Sequence, residues 1–206
     1  MIPSLLLLIL SLSFAQERSD AVAGRYALRG VMEVGSELML KPDGSFEYYL
    51  SYGAADYWSK GTWKHLQNTI VLTTPGQDQP PFRLTGSSST SESGTRVRIK
   101  NANGRPVEHI EVVLGTASGE QTARTSGEGT ALFESREGRS VVLRIPVYGT
   151  EAGPFEINPA HNDFSFEING EAITQVRFRD ERLAIDGKDL ILRYWNADKP
   201  MRYVRE

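Results

Sequence analysis

The chain of 206 residues contains no cysteine. That absence removes disulfides, thiolate metal sites, cysteine nucleophiles and a lipid-modified N-terminal cysteine at one stroke. Histidine is almost as scarce: His65, His109 and His161 are the only three, and none stands at the i, i+2 or i, i+4 spacing of a ready metal pair. Positive charge is not in excess either. Twenty-three Lys and Arg stand against 26 Asp and Glu, for a net charge of -3, and no basic block is placed to neutralise a row of phosphates. The sequence therefore predicts no metal, no cofactor and no nucleic-acid partner. Helical periodicity is missing too, with no sustained apolar stripe at a spacing of three and four. No Gly-x-Ser-x-Gly elbow is present, and the glycine-rich stretch from Gly115 to Gly129 neither ends in Lys-Ser or Lys-Thr nor opens a helix. Serine hydrolase chemistry and phosphate cradling have no support.

One apolar run is present, LLLLILSLSFA at residues 5 to 15, with Ser13 and Ala15 at the -3 and -1 positions of a cleavage site. A spanning helix needs ~20 apolar residues, and Gln16, Glu17 and Arg18 end this run well short of that. The reading is a signal peptide over residues 1–15, cleaved after Ala15, with no transmembrane anchor left behind. A cysteine-free exported chain suits a bacterial periplasm or the medium better than a eukaryotic secretory route, where small domains are often stapled by disulfides. The expected location is periplasmic or secreted.

From Gly24 the apolar pattern has period two: Tyr26 and Leu28, Leu38 and Leu40, then Phe46, Tyr48 and Leu50. Turn signals recur at Asp43-Gly44, Asn103-Gly104, Gly127 to Gly129, Asn169-Gly170 and Asp186-Gly187. The pattern predicts an all-β protein. Six strands are expected near 25–31, 36–41, 45–51, 59–65, 69–74 and 81–85, then a Ser/Thr-rich linker over 86–95. A second set follows near 95–100, 108–115, 120–126, 130–135, 140–147, 154–158 and 163–169. After Ala172 the short alternating strands of the first part return. Open sheet edges are removed when a barrel closes, so the last strands are expected to close the first sheet. The organisation read from this is a first barrel part at 22–85, the linker, a seven-stranded sandwich at 95–170 inserted between barrel strands, and closure strands at 171–206; the rival is a plain tandem.

The motifs also carry a resemblance. Gly24-Arg25-Tyr26 with Leu28, then Pro42-Asp43-Gly44-Ser45-Phe46, and Gly61-Thr62-Trp63 followed by Ile70 to Thr73, resemble the lipocalin-like barrels of bacterial envelope proteins. Where the lipocalin pattern has Trp under a late-strand Arg, this chain has Tyr26, and Arg202 or Arg205 is the candidate partner. Asn103-Gly104-Arg105-Pro106-Val107 and Thr125 to Phe133 resemble the transthyretin-like sandwich of carboxypeptidase regulatory-like modules. The hydrolase branch of that fold ends in Tyr-Arg-Gly-Ser, and this chain ends Arg202-Tyr203-Val204-Arg205-Glu206. That resemblance implies a binding or spacer module and no hydrolase.

The candidate chemistry is aromatic. Phe46, Tyr48, Tyr49, Tyr52, Tyr57, Trp58 and Trp63 crowd into 18 residues. Alternation sends Phe46, Tyr48 and Leu50 to the core and Tyr49 outward, and Tyr52 to Trp58 read as a loop at a barrel mouth. Exposed rings stack on sugars and apolar ligands, so Tyr49, Tyr52, Tyr57 and Trp58 are the candidate ligand-binding residues. The alternative is that Tyr57 and Trp58 merely cap the barrel end. His161 and Asp163 are among the few groups suited to proton transfer near neutral pH, but a solvated turn entering the next strand is the better reading of them, and no catalytic residue is assigned. The sequence thus points to an exported, non-catalytic binding protein holding a small apolar or carbohydrate ligand. A structural accessory subunit docking to another envelope protein is the alternative, or an enzyme of unknown chemistry.

Overall fold

The computed structural model describes residues 21–195 and 198–206; the expected signal peptide lies outside the described residues. The strands are, in order, β1 (Gly24–Arg29), β2 (Val34–Leu40), β3 (Ser45–Tyr52), β4 (Ala55–Leu66), β5 (Thr69–Thr73), β6 (Phe82–Ser88), β7 (Thr95–Asn101), β8 (Glu111–Thr116), β9 (Gly119–Arg124), β10 (Thr130–Phe133), β11 (Gly138–Ile145), β12 (Thr150–Glu156) and β13 (Asp163–Ile168). A one-turn helix α1 (Gly170–Thr174) follows, and then β14 (Glu181–Asp186), β15 (Asp189–Leu192) and β16 (Met201–Arg205). No helix among the described residues is long and apolar enough to cross a membrane.

Eight strands close an antiparallel barrel in the order β1-β16-β15-β14-β5-β4-β3-β2. The last three strands are those that close it, so everything between β5 and β14 is an insertion, and the tandem reading is wrong. Residues up to Gln77 together with Gln175–Glu206 form one compact unit, and Asp78–Thr174 form the other.

Period-two alternation fills the barrel. Tyr26, Leu28, Leu38, Leu40, Phe46, Tyr48, Leu50, Trp63, Ile70, Leu72, Leu183, Leu190, Leu192 and Tyr203 all point inward and are buried. Two sequence motifs acquire a physical reason. Asp43 accepts hydrogen bonds from the Ser45 amide (2.8 Å) and hydroxyl (2.6 Å), while Gly44, at φ 82°, turns the chain from β2 into β3. Gly61 faces β5 so closely that a Cβ there would lie 2.1 Å from the Thr73 carbonyl oxygen and 2.9 Å from the Phe46 ring, and only glycine fits. Trp63 then donates its indole N–H to the Lys41 carbonyl at 2.9 Å, locking the β2–β3 turn under the ring. Of the two late-strand arginines, Arg205 is the one beside Tyr26: it stands opposite it in the β1–β16 ladder and donates to the Ala21 and Ala23 carbonyls, each at 2.6 Å.

β4 has 12 residues and β5 only five, so the first half of β4 overhangs its neighbour. The chain returning from the insertion covers that edge. The Val176 amide donates to the Trp58 carbonyl, and the Thr74 amide to the Phe178 carbonyl, each at 2.8 Å. Val176 and Phe178 thereby enter the barrel core.

The inserted unit is a sandwich of eight strands, in sheets β10-β7-β13-β6 and β12-β11-β8-β9, with β13 parallel to β7. The expected count was seven, because the strand near 81–85 was assigned to the barrel. That assignment is corrected: β6 pairs with β13 and buries Phe82 in the sandwich core. Polar composition suggested a linker at 86–95, but Gly86 to Ser88 continue β6 and the residues after them are held. The buried Asn162 side chain accepts from the Thr90 amide (2.7 Å) and donates to the Glu92 (3.0 Å) and Gly94 (2.9 Å) carbonyls. Arg136 donates to the Thr90 carbonyl at 2.8 Å. A loop can be rich in Ser and Thr because its backbone is satisfied from outside, and here composition misled. Asn169-Gly170 is likewise a helix start, the Asn169 side chain accepting from the Ala172 amide at 3.3 Å, where a hairpin turn was expected.

Candidate functional site

Tyr52 and Ala55 are cross-strand partners, so β3 and β4 join through a two-residue turn at Gly53 and Ala54. The expected aromatic loop from Tyr52 to Trp58 is therefore a tight hairpin, and strand alternation decides where each ring goes. Tyr52 and Tyr57 share the inward parity and meet at the barrel mouth. Tyr49 and Trp58 share the outward parity and stand directly opposite one another on the outer face. The four candidates belong to two places.

At the mouth, Tyr52 and Tyr57 line a cleft of about 780 Å³ together with Val31, Met32, Val34, Leu50, Trp195, Pro200 and Met201. Three connections build it: the turn after β1, the β3–β4 hairpin, and the chain between β15 and β16. Val31 (41% exposed), Met32 (88%), Tyr52 (58%), Tyr194 (40%) and Trp195 (44%) account for five of the nine exposed large apolar side chains among the described residues. Among the described residues that line the cleft, Lys199 is the one that is charged.

Below the cleft the rings continue inward. Tyr57 packs on Trp195 (centroids 5.4 Å apart), Trp195 on Tyr194 (5.3 Å), Tyr194 on Phe178 (5.2 Å) and Phe178 on Tyr48 (5.1 Å), most of them tilted or edge to face. Polar atoms along this file are satisfied. Trp195 donates its indole N–H to the Tyr48 hydroxyl at 3.2 Å, and the Tyr48 and Tyr203 hydroxyls are 3.3 Å apart. Ser36 donates to the Tyr49 carbonyl at 2.6 Å, and its hydroxyl oxygen lies 2.8 Å from that of Tyr203. Burial raises the Tyr48 and Tyr203 hydroxyls above the ordinary phenol range, Tyr203 the more strongly, and for Tyr203 the neighbouring Tyr48 adds to the effect. Burial also raises Glu181 above the usual carboxyl range, and raises Tyr194 with a contribution from Glu181. The barrel interior is thus occupied by protein.

Met32, Val31 and Trp195 escaped the reading of the sequence. Their signal was an apolar pair directly after Gly30, where a turn is expected to be polar, and an aromatic pair beyond Leu192, where β15 stops.

On the outer face, Tyr49 donates its hydroxyl to Asp56 at 2.8 Å, which lifts the phenol and holds the Asp56 carboxyl below its usual range, with Ser51 also bonded to Asp56. Lys60 places its Nζ 5.8 Å from the centre of the Trp58 ring.

In the inserted unit, the pair singled out for proton transfer is built into structure. Asp163 is clamped by Arg98 through both oxygens (2.5 and 2.8 Å) and contacts Arg96 at 3.5 Å, while His161 Nδ1 lies 2.8 Å from the Ser87 hydroxyl. Among the described residues no group of three or more His, Asp or Glu is arranged to hold a metal ion. Comparison with protein-family models, with curated proteins and with solved structures finds no match. What stands is the architecture itself, a closed eight-stranded antiparallel barrel carrying a separate two-sheet unit.

Proposed function

We propose that the protein is a non-catalytic binding protein of the bacterial envelope, and that it takes an apolar ligand against the aromatic cleft at the barrel mouth. The observation that carries this reading is the gathering of Val31, Met32, Tyr52, Tyr194 and Trp195, exposed, at one end of a barrel whose interior is filled. A soluble monomer rarely leaves a contiguous apolar patch uncovered unless something binds there. Among the described residues that line the cleft there is no carboxylate or amide, and the apolar character of that lining favours an apolar ligand at this place. The likeness of the hairpins to lipocalin-like envelope barrels, and of the insertion to transthyretin-like modules, supports an exported binding role.

The chain has three tryptophans, Trp58, Trp63 and Trp195. With Trp63 buried, a Trp58→Phe variant leaves Trp195 as the indole that reports on the mouth. Titrated with long-chain fatty acids and with polycyclic aromatic probes, that variant should show a saturable emission shift. Burying one large side chain is worth ~1.5 to 3 kcal/mol, so Trp195→Ala should weaken the ligand roughly ten- to a hundredfold, and Met32→Asp should do the same while the melting temperature holds. If no probe shifts the emission and Trp195→Ala lowers the melting temperature, the ring is a barrel plug, and docking to another envelope protein becomes the better reading.

A further inference from the structure

The two rings that alternation sends outward form a surface of different character from the mouth. Glu37, Tyr49 and Trp58 lie in one row across β2, β3 and β4; the next row on one side is Gly35, Ser51 and Asp56, and on the other Met39, Glu47 and Lys60. All share the outward parity of their strands. Tyr49 is 46% exposed, and its bond to Asp56 fixes the direction of its ring. The carboxylates along the edge are held in place as well: Glu37 pairs with Arg25 and Glu47 with Lys41, each at 2.5 Å.

From this juxtaposition we infer a second binding face on the barrel wall, for the flat face of a pyranose polymer. A sugar ring presents C–H groups on its face and hydroxyls around its edge. Adjacent aromatic side chains on a flat sheet receive the first, and a surround of carboxylate, hydroxyl and ammonium groups receives the second. Tyr49 and Trp58 are the stacking surface. Asp56 and Ser51 stand beside the Tyr49 ring, where the edge hydroxyls fall, and Lys60 brings its ammonium over the half-buried Trp58 ring. The mouth cleft has rings without this polar surround, and the inference stands independently of the apolar-ligand reading. A cross-strand aromatic pair also steadies its sheet, so the test must separate the two roles.

The probes are cellohexaose and chitohexaose, measured by calorimetry and affinity electrophoresis on the full chain. At least one should bind. Tyr49→Ala should weaken it by roughly three- to tenfold, the range that one aromatic contact supplies, with the melting temperature unchanged. Tyr49→Phe, which keeps the ring and loses the bond to Asp56, should fall between. Trp195→Ala should bind the hexasaccharide as the wild type does, and Tyr49→Ala should leave the emission response to apolar probes intact. Absence of binding by both hexasaccharides, or full binding by a folded Tyr49→Ala, overturns the inference; loss with Trp195→Ala but not with Tyr49→Ala overturns it too, because the sugar then sits at the mouth.

Discussion

Raising the pH should unfold the barrel, and the reason lies in Tyr48 and Tyr203. Both are buried, 3% and 0% exposed, and both are held above the ordinary phenol range by desolvation. In an unfolded chain a tyrosine loses its proton near pH ~10. Above that pH the unfolded state binds fewer protons than the native state, so stability falls as pH rises; below it the contribution is constant and fully present. A phenol that keeps its proton in the fold costs about 1.4 kcal/mol per pH unit above that point; Tyr203, the more strongly raised, contributes this slope, and Tyr48 adds to it in the same direction. Against a domain stability of ~5 to 15 kcal/mol, two units above pH ~10 remove roughly half of the stability of a barrel at the lower end of that range through Tyr203 alone. Tyr26, also raised by burial, acts in the same direction. The assay follows tyrosinate absorbance and near-ultraviolet circular dichroism on one sample. Tyrosinate from the buried rings should appear only as the dichroism collapses, and Tyr203→Phe should reduce the slope of stability against pH. If all eight tyrosines ionise while the native dichroism persists, water reaches the interior and the description of a filled barrel is wrong.

Three further outcomes follow from the packing. Phe178→Ala removes the ring that touches Phe46, Tyr48 and Tyr194, and should destabilise the barrel by ~3 to 5 kcal/mol in urea unfolding; a loss under about 1 kcal/mol would mean that Phe178 does not fill the core. Gly61→Ala should cost ~1 to 3 kcal/mol or prevent folding, since its methyl group meets the Thr73 carbonyl, and a neutral result would show that β4 and β5 have room to part. Asp163→Ala leaves Arg98 without its carboxylate and should lower sandwich stability by ~2 to 4 kcal/mol, read from the protease resistance of the loop at 89–94; unchanged protection would reduce the clamp to a surface ion pair.

Period two made the strands legible. Phe46, Tyr48 and Leu50 face inward as alternation demanded, and the return of short alternating strands after Ala172 announced the closure of the barrel. The misreadings share a cause: they are places where a side chain far away in sequence decides the local structure. Thr85 to Thr95 has the composition of a linker, yet Asn162 and Arg136, more than 40 residues onward, supply its hydrogen bonds. Strand β6 lacks a regular apolar alternation because it is an edge strand that buries chiefly Phe82, and nothing near it in sequence says that its partner is β13. The candidate site was half legible. Four aromatic residues were found, and Tyr49 was already sent outward by alternation, but the tight turn at Gly53 and Ala54 puts Trp58 on that same outer face, away from Tyr52 and Tyr57, and the mouth is completed by Trp195, 138 residues beyond Tyr57.

Charge on the barrel argues for how a partner would be recognised. Arg25 pairs with Glu37 and Glu206, Arg29 with Glu206, and Arg202 with Asp186 and Asp189, all exposed. Exposed pairs of this kind contribute ~0 to 1 kcal/mol each, so they are not what holds the barrel closed; the ring-filled core is. Their effect is to cancel. With net charge -3 over 206 residues and Arg25, Arg29 and Arg202 each matched to neighbouring carboxylates, these cations add little long-range field to steer an ion toward either face. Recognition then falls to short-range contact, where apolar area and ring geometry decide. The mouth offers the first, through Met32 and Val31 beside Trp195; the outer wall offers the second, through Tyr49 and Trp58 opposed across two strands.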